Sequence, residues 1–149
     1  MPCPGPAVVK TAWDTSCLVA LLCEWHEFHP RTLETYRELR DRGRFIIAGY
    51  ALLECFSVLT RLPAPARLAP ADAARLLREN FAGAEIAAAD PQSCRDAIER
   101  VAALGIGEGR IYDAVIAYCS YRAGAERLLS WNVRDLAVVS PPGLAMREP

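Results

Sequence analysis

Four acidic residues stand where an unpartnered carboxylate is costly or where a strand ends. Glu54 lies within residues 50–59 and Asp113 within residues 111–117, and both segments are otherwise so apolar that they read as buried helices. Asp14 and Asp135 follow predicted strands. A buried carboxylate destabilises a fold unless it is paired, protonated or bound to a metal. The set therefore points to an acidic cluster that holds a divalent cation. Mg²⁺ and Mn²⁺ take carboxylate oxygens and keep several waters, so three or four acids suffice without histidine.

Each acid also has a plainer explanation. Asp14 between strand and helix can be an N-cap, a role Thr15 or Ser16 could fill instead. Glu54 can reach the surface, although Tyr50, Ala51 and Val58 around it suggest packing. Asp113 falls in a first helical turn, where the macrodipole favours an acid for structural reasons alone. Asn132 and Asp135 lie in residues 130–136, just past a strand, where polar loop residues are common. The functional reading rests on all of them meeting at one sheet edge.

The elements that would bring them together alternate. Residues 7–13 read as a first strand, and a short helix follows to Leu22. Pro30 opens a more polar helix closed by Gly43, and residues 45–48 form a short buried strand. The helix carrying Glu54 then runs to about Arg61. A proline-punctuated loop leads to a helix from Pro70 with Ala73, Ala74, Leu76 and Leu77 inward. Residues 85–88 make a third strand, and Pro91 starts a helix through Leu104. A glycine-rich gap precedes the helix of Asp113. Residues 127–130 are a fourth strand, 131–136 a loop or short helix, and 144–146 a fifth strand. Short apolar strands alternating with helices imply an α/β fold, a mostly parallel central sheet of four to five strands with helices on both faces. Ligands of such sheets bind beyond the carboxyl ends of the strands, where Asp14 and the residues after Ser130 fall.

The composition bounds the rest. The chain has 149 residues, 52% hydrophobic and 23% charged, which suits a single globular domain over residues 1–149 with residues 1–6 as a frayed lead-in. No apolar run reaches the roughly 18 residues of a membrane span. The start carries no basic region followed by an apolar stretch, so no signal peptide is expected. The six cysteines form no CxxC pair and read as small hydrophobes of a reduced, cytoplasmic protein. Net charge is −1, so no whole-domain basic field attracts nucleic acid. Lys10 is the only lysine beside sixteen arginines. With Ser16 two positions after Asp14 and no later lysine, a phosphoacceptor receiver domain does not fit.

In this order, residues 14–16, 53–63, 112–117 and 128–136 resemble PIN domains, and most of all the VapC-type toxins of bacterial toxin–antitoxin pairs. The similarity spans about residues 8–146. It implies a three-layer sandwich and a metal-dependent endoribonuclease that uses Mg²⁺ or Mn²⁺. It further implies an RNA substrate, an antitoxin protein as partner, and a homodimer. Carried over by position, Asp14, Glu54 and Asp113 are the three core acids, and either Asn132 or Asp135 fills the fourth position. Thr15 and Ser16 would contact phosphate or support the metal ligands, and Arg110 and Arg134 either clamp the RNA backbone or are plain surface arginines. Residues 18–25 and 33–36, with Trp25 and Phe28 near the surface, would receive the antitoxin. The asparagine leaves one rival, an inert PIN scaffold that binds RNA or protein. An unrelated α/β domain whose acids never meet is a third reading. Geometry separates it, because the carboxylates of Asp14, Glu54 and Asp113 should converge in one coordination sphere or be bridged by water.

Overall fold

The structure is a computed structural model that describes Met1 and residues 8–149. Expectations for residues 2–7, including most of the lead-in, Cys3 and the start of the first strand, lie outside the described residues. Five strands, β1 (Val9–Trp13), β2 (Gly43–Ala48), β3 (Glu85–Ala87), β4 (Arg127–Leu129) and β5 (Ala145–Arg147), form one parallel sheet in the order β3-β2-β1-β4-β5. Trp13 pairs with Ile47 on one side and Leu129 on the other. Side chains alternate across a sheet, so Thr11 and Trp13 share a face with Phe45 and Ile47, and Ala12 shares the other with Ile46 and Leu128. Both sets are buried except for the half-buried Phe45. That is why these strands read as continuous apolar runs.

Parallel neighbours need crossovers, and helices supply them: α1 (Thr15–Leu22), α2 (His29–Leu39), α3 (Gly49–Arg61), α4 (Pro70–Phe81), α5 (Pro91–Ala103), α6 (Arg110–Arg122) and α7 (Val133–Val139). The Trp13 ring lies edge-on to Tyr36 of α2 at 6.1 Å and tilted against Phe45 at 5.2 Å. Helix α6 packs on β2 and β3, and with α5 and α7 encloses Ala97, Val101, Ala114 and Val139. The chain steps outward from β1 to β3 and then returns to the other side of β1 for β4 and β5. The reversal leaves a crevice at the carboxyl ends of β1 and β4, the position where such sheets bind ligands.

Several expectations need correction. Gly43 does not close α2, which ends at the Arg40 cap; it is the first residue of β2. A Cβ there would collide with the carbonyl of Val9, its register partner, so the close approach of the two strands requires glycine. On α4, Ala74 is exposed, while Ala73, Leu76, Leu77 and Phe81 face inward. Helix α7 continues past Leu136 to Val139. Helix α3 is not buried all round: Ala51, Cys55 and Leu59 form its inner stripe and Leu53 is 69% exposed. The five described cysteines are free and four of them are buried. Burial pushes the Cys55 thiol up to about 12, as expected of a packing residue. No described helix is long and apolar enough to cross a membrane.

Candidate active site

Asp14 is the first residue after β1 and the N-cap of α1, in extended conformation (φ −82°, ψ 175°). Its Oδ1 accepts the Cys17 amide N–H at 3.1 Å and the Ser16 hydroxyl at 2.6 Å. Its Oδ2 accepts the Ser130 hydroxyl at 2.6 Å. The sequence left the cap open among Asp14, Thr15 and Ser16, and Asp14 fills it. Only 4% of the residue is exposed. Burial pushes its pKa up, against the opposing pull of Ser130, Ser16 and Cys17. Three donors fill three of the roughly four lone-pair positions of a carboxylate, which leaves one for a further partner.

Ser130 was not among the residues singled out by sequence, yet it is fully buried and aimed at Asp14. A signal existed: Asp14 and Ser130 are the first residues after two strands that pair in register, so they are neighbours on the sheet edge. The Ser130 hydroxyl also accepts the Asn132 amide at 2.8 Å, and that of Ser16 accepts the Trp131 amide at 2.9 Å. Two hydroxyls thus tie the turn after β4 to the Asp14 carboxylate.

A cleft of about 500 Å³ opens here and is lined by Asp14, Glu54, Asp113 and Asn132 together with Thr15 and Ser16. Glu54 comes from the second turn of α3 and Asp113 from the first turn of α6. Both are half-buried, so Asp14, the residue with the strongest plain explanation, is the most buried acid of the set. Burial raises the Asp113 pKa most, and the negative charges of Glu54, Asp14 and Asp135 add to it while Arg110 opposes. The acids are close enough for their charges to add to the effect of burial.

Asp135 does not line the cleft. Arg110 donates from Nη2 to its carbonyl at 2.6 Å and places Nη1 3.3 Å from Oδ1. The Asn132 side chain and Arg110 hold this carboxyl below its usual range. The Arg110 Nε stands 3.9 Å from Asp113 Oδ2, a charge contact too long for a hydrogen bond. Of the two candidates for the fourth position, Asn132 faces the cleft. Arg110, a candidate RNA clamp, lies against Asp113 and Asp135. Arg134 is exposed.

Among the described residues, no three His, Cys, Asp or Glu side chains stand close enough to surround an ion. Asp14, Glu54 and Asp113 converge on one cleft without directly forming one coordination sphere, and bridging through water is the form of the expectation that this geometry keeps. The donors still fit a hard cation, since they are oxygens with a spare lone pair on the buried Asp14. The Thr15 hydroxyl is buried and has no hydrogen-bond partner in the structure.

Sequence reasoning also missed His26 and Glu27, which reach the cleft from the loop between α1 and α2. The expected docking segments divide: Leu18 is fully buried in the core and Trp25 is 60% exposed. Phe28 lies in the cleft wall, stacked on Trp131 at 4.1 Å and 13°. A larger cleft, about 780 Å³, opens near Trp13, Tyr36 and Phe45 at the opposite end of the strands and holds none of the candidate acids.

The PIN domain family profile matches residues 12–137. Two curated relatives from Mycobacterium tuberculosis are similar over most of their length. Ribonuclease VapC40 is 36% identical over 85% of this chain and 87% of its own, and ribonuclease VapC27 is 38% identical over 77% and 80%. Among solved structures, M. tuberculosis VapC20, described as a sarcin-ricin loop cleaving toxin, superposes with a TM-score of 0.70 at 14% identity, over 88% of this chain and 96% of that one. DNA-bound VapBC from Salmonella typhimurium does so with 0.69 at 20% identity, over 95% and 98%.

Proposed function

The chain belongs to the PIN domain family, and from that premise we propose that it is a metal-dependent endoribonuclease, the toxin of a toxin–antitoxin pair. The observation that carries this reading is the meeting of Asp14, Glu54 and Asp113, from a strand end and two separate helices, in one cleft at the point where the strand order reverses. Three acids there have no structural need of one another, and the charge of Glu54 and Asp14 on Asp113 opposes folding.

Asp14, Glu54 and Asp113 would hold Mg²⁺ or Mn²⁺, with Asn132 facing the same space. When bound, the ion would supply Lewis-acid activation of a water and charge stabilisation for phosphodiester hydrolysis to a 5′-phosphate and a 3′-hydroxyl. The chain's own groups supply the setting. Ser16 and Ser130 fix the Asp14 carboxylate, and Arg110 restrains Asp113 and Asp135. The Thr15 hydroxyl is buried at the cleft wall without a partner, so a phosphate oxygen or water would have to reach in to it to accept its hydrogen. The partner protein is an antitoxin, as in the VapBC complexes that share the fold, and it would cover this cleft.

The inert-scaffold reading draws on Asn132 standing in the cleft where Asp135 turns away. The test is cleavage of total cellular RNA with Mg²⁺, Mn²⁺ or EDTA, comparing the natural chain with Asp113→Asn and Glu54→Gln. Metal-dependent cutting that both substitutions abolish is the expected result. A folded, antitoxin-free chain that binds RNA without cutting it would leave the scaffold.

A further inference from the structure

One wall of the acid cleft is aromatic. Phe28 and Trp131 stack nearly parallel, with centroids 4.1 Å apart at 13°, and the His26 ring continues the series 5.7 Å from Phe28. Core aromatic pairs of this protein, such as Trp13 with Tyr36 and Phe45, are edge-on or tilted instead. Phe28 remains 36% exposed. The wall is also fixed. The indole N–H of Trp131 donates to the buried Thr32 hydroxyl at 2.9 Å, so its one polar group is already satisfied. The Trp131 amide donates to the Ser16 hydroxyl, which in turn donates to Asp14 Oδ1. A single hydroxyl thus sets the distance from the aromatic wall to the buried acid. A second parallel pair, Tyr50 and Tyr112 at 4.7 Å and 2°, comes from the same helices as the other two acids. Tyr50 is one turn before Glu54, and Tyr112 immediately precedes Asp113.

We propose that the Phe28–Trp131 wall is a base-stacking platform, on which an unpaired RNA base next to the cleaved phosphodiester lies while its phosphate enters the acid cleft. The proposal rests on the ribonuclease reading and adds to it the side chains that position the base beside the cleaved bond. Bases stacked within a helix cannot lie on a protein ring, whereas splayed bases stack on aromatic side chains regardless of sequence. The fixed link through Ser16 then places the phosphate relative to Asp14. Four aliphatic residues also line the cleft, but Val19, Ile116 and Leu136 are buried and Val58 half-buried, while Phe28 is exposed, so the accessible apolar surface is mainly aromatic.

The test uses the Trp25→Phe chain, whose remaining tryptophans are Trp131 and the core residue Trp13, with EDTA present so that strands stay whole. Oligoadenylate, oligouridylate and the duplex of the two are titrated against tryptophan emission. Oligoadenylate should bind more tightly than oligouridylate, both should quench emission, and the duplex should bind at least about tenfold more weakly. Phe28→Ala should weaken single-strand binding about 5- to 100-fold, and Phe28→Tyr should restore it. Equal affinity for duplex and single strands overturns the proposal, as does a Phe28→Ala chain that binds like its parent. Loss of antitoxin binding with RNA binding unchanged would make the wall a protein-docking face and sink the proposal equally. Metal-dependent cleavage by the same proteins separates the two readings. Cutting by the natural chain with KM unchanged in Phe28→Ala removes the platform alone, whereas no cutting by the natural chain removes both.

Discussion

Asp14 at the head of α1 and Asp90 at the head of α5 cap their helices alike, each accepting the backbone N–H three residues on (Cys17, 3.1 Å; Ser93, 2.9 Å) and a serine hydroxyl (Ser16, 2.6 Å; Ser93, 2.7 Å). Their carboxyls are nevertheless driven in opposite directions. The Ser93 amide and hydroxyl, with Arg122 3.3 Å away, hold Asp90 down to about 2. Burial pushes Asp14 up. The local motif is the same, so the difference comes from what lies over it: solvent at Asp90, and the turn after β4, with Ser130, at Asp14. An ionised cap in water strengthens the fold. The same cap sunk at the sheet's reversal point makes ionisation costly, a cost that a cation would relieve if Asp14 binds one as proposed.

The sharpest way to break this contrast is to neutralise each carboxyl. Asp14→Asn should lower RNA cleavage by at least about 100-fold, measured as initial rate on total RNA. Asp90→Asn should leave the rate where it was, and an equal loss in both would mean that Asp14 acts only as a cap. Mg²⁺ should come next in size. At one hundred times its Kd a ligand adds about 2.7 kcal/mol, so calorimetry should show the metal-loaded natural chain melting about 5–10 °C higher. Asp90→Asn should keep that rise and Asp14→Asn should lose it. No rise in the natural chain would favour the inert scaffold.

Smaller effects sharpen the comparison. Ser130→Ala removes one of the three donors to Asp14 and should lower urea stability by about 1–2 kcal/mol. The pH dependence of Asp90 is the smallest. Its folded pKa lies below the ordinary carboxylate value of about 3.9, so its contribution is complete above that value and disappears as pH falls toward about 2. The Tm difference between the natural chain and Asp90→Ala should hold from neutrality to about pH 5 and close near pH 2. Asp14 carries the opposite sign: without metal, its protonation on acidification relieves the fold. A Tm gap at Asp90 that widened with acid would contradict the assignment.

Much of this was legible from near neighbours. Proline at the heads of α4 and α5, apolar runs of strand length and the acid after β1 all act within a few residues. Hence element order and the α/β class could be read from the chain, and the three acids that the resemblance assigns line one cleft. Gly43 misled because a glycine after a helix signals a C-cap, while its need here lies across the sheet at Val9. Glu54 and Asp113 read as deeply buried because apolarity counts composition, not which helical face turns inward.

The sequence by itself determined which residues form strands and helices and which carboxylates end up near strand ends, since propensity, capping and periodicity are local forces. Only the tertiary structure decided the rest. Parallel register brought Ser130 within 2.6 Å of Asp14 across 116 positions of chain, and so buried an ordinary cap. It turned Asn132 into the cleft and Asp135 onto Arg110, and it built an aromatic wall from Phe28 and Trp131. Burial, charge repulsion and shared hydrogen bonds depend on distances between segments remote in sequence, and topology sets those distances.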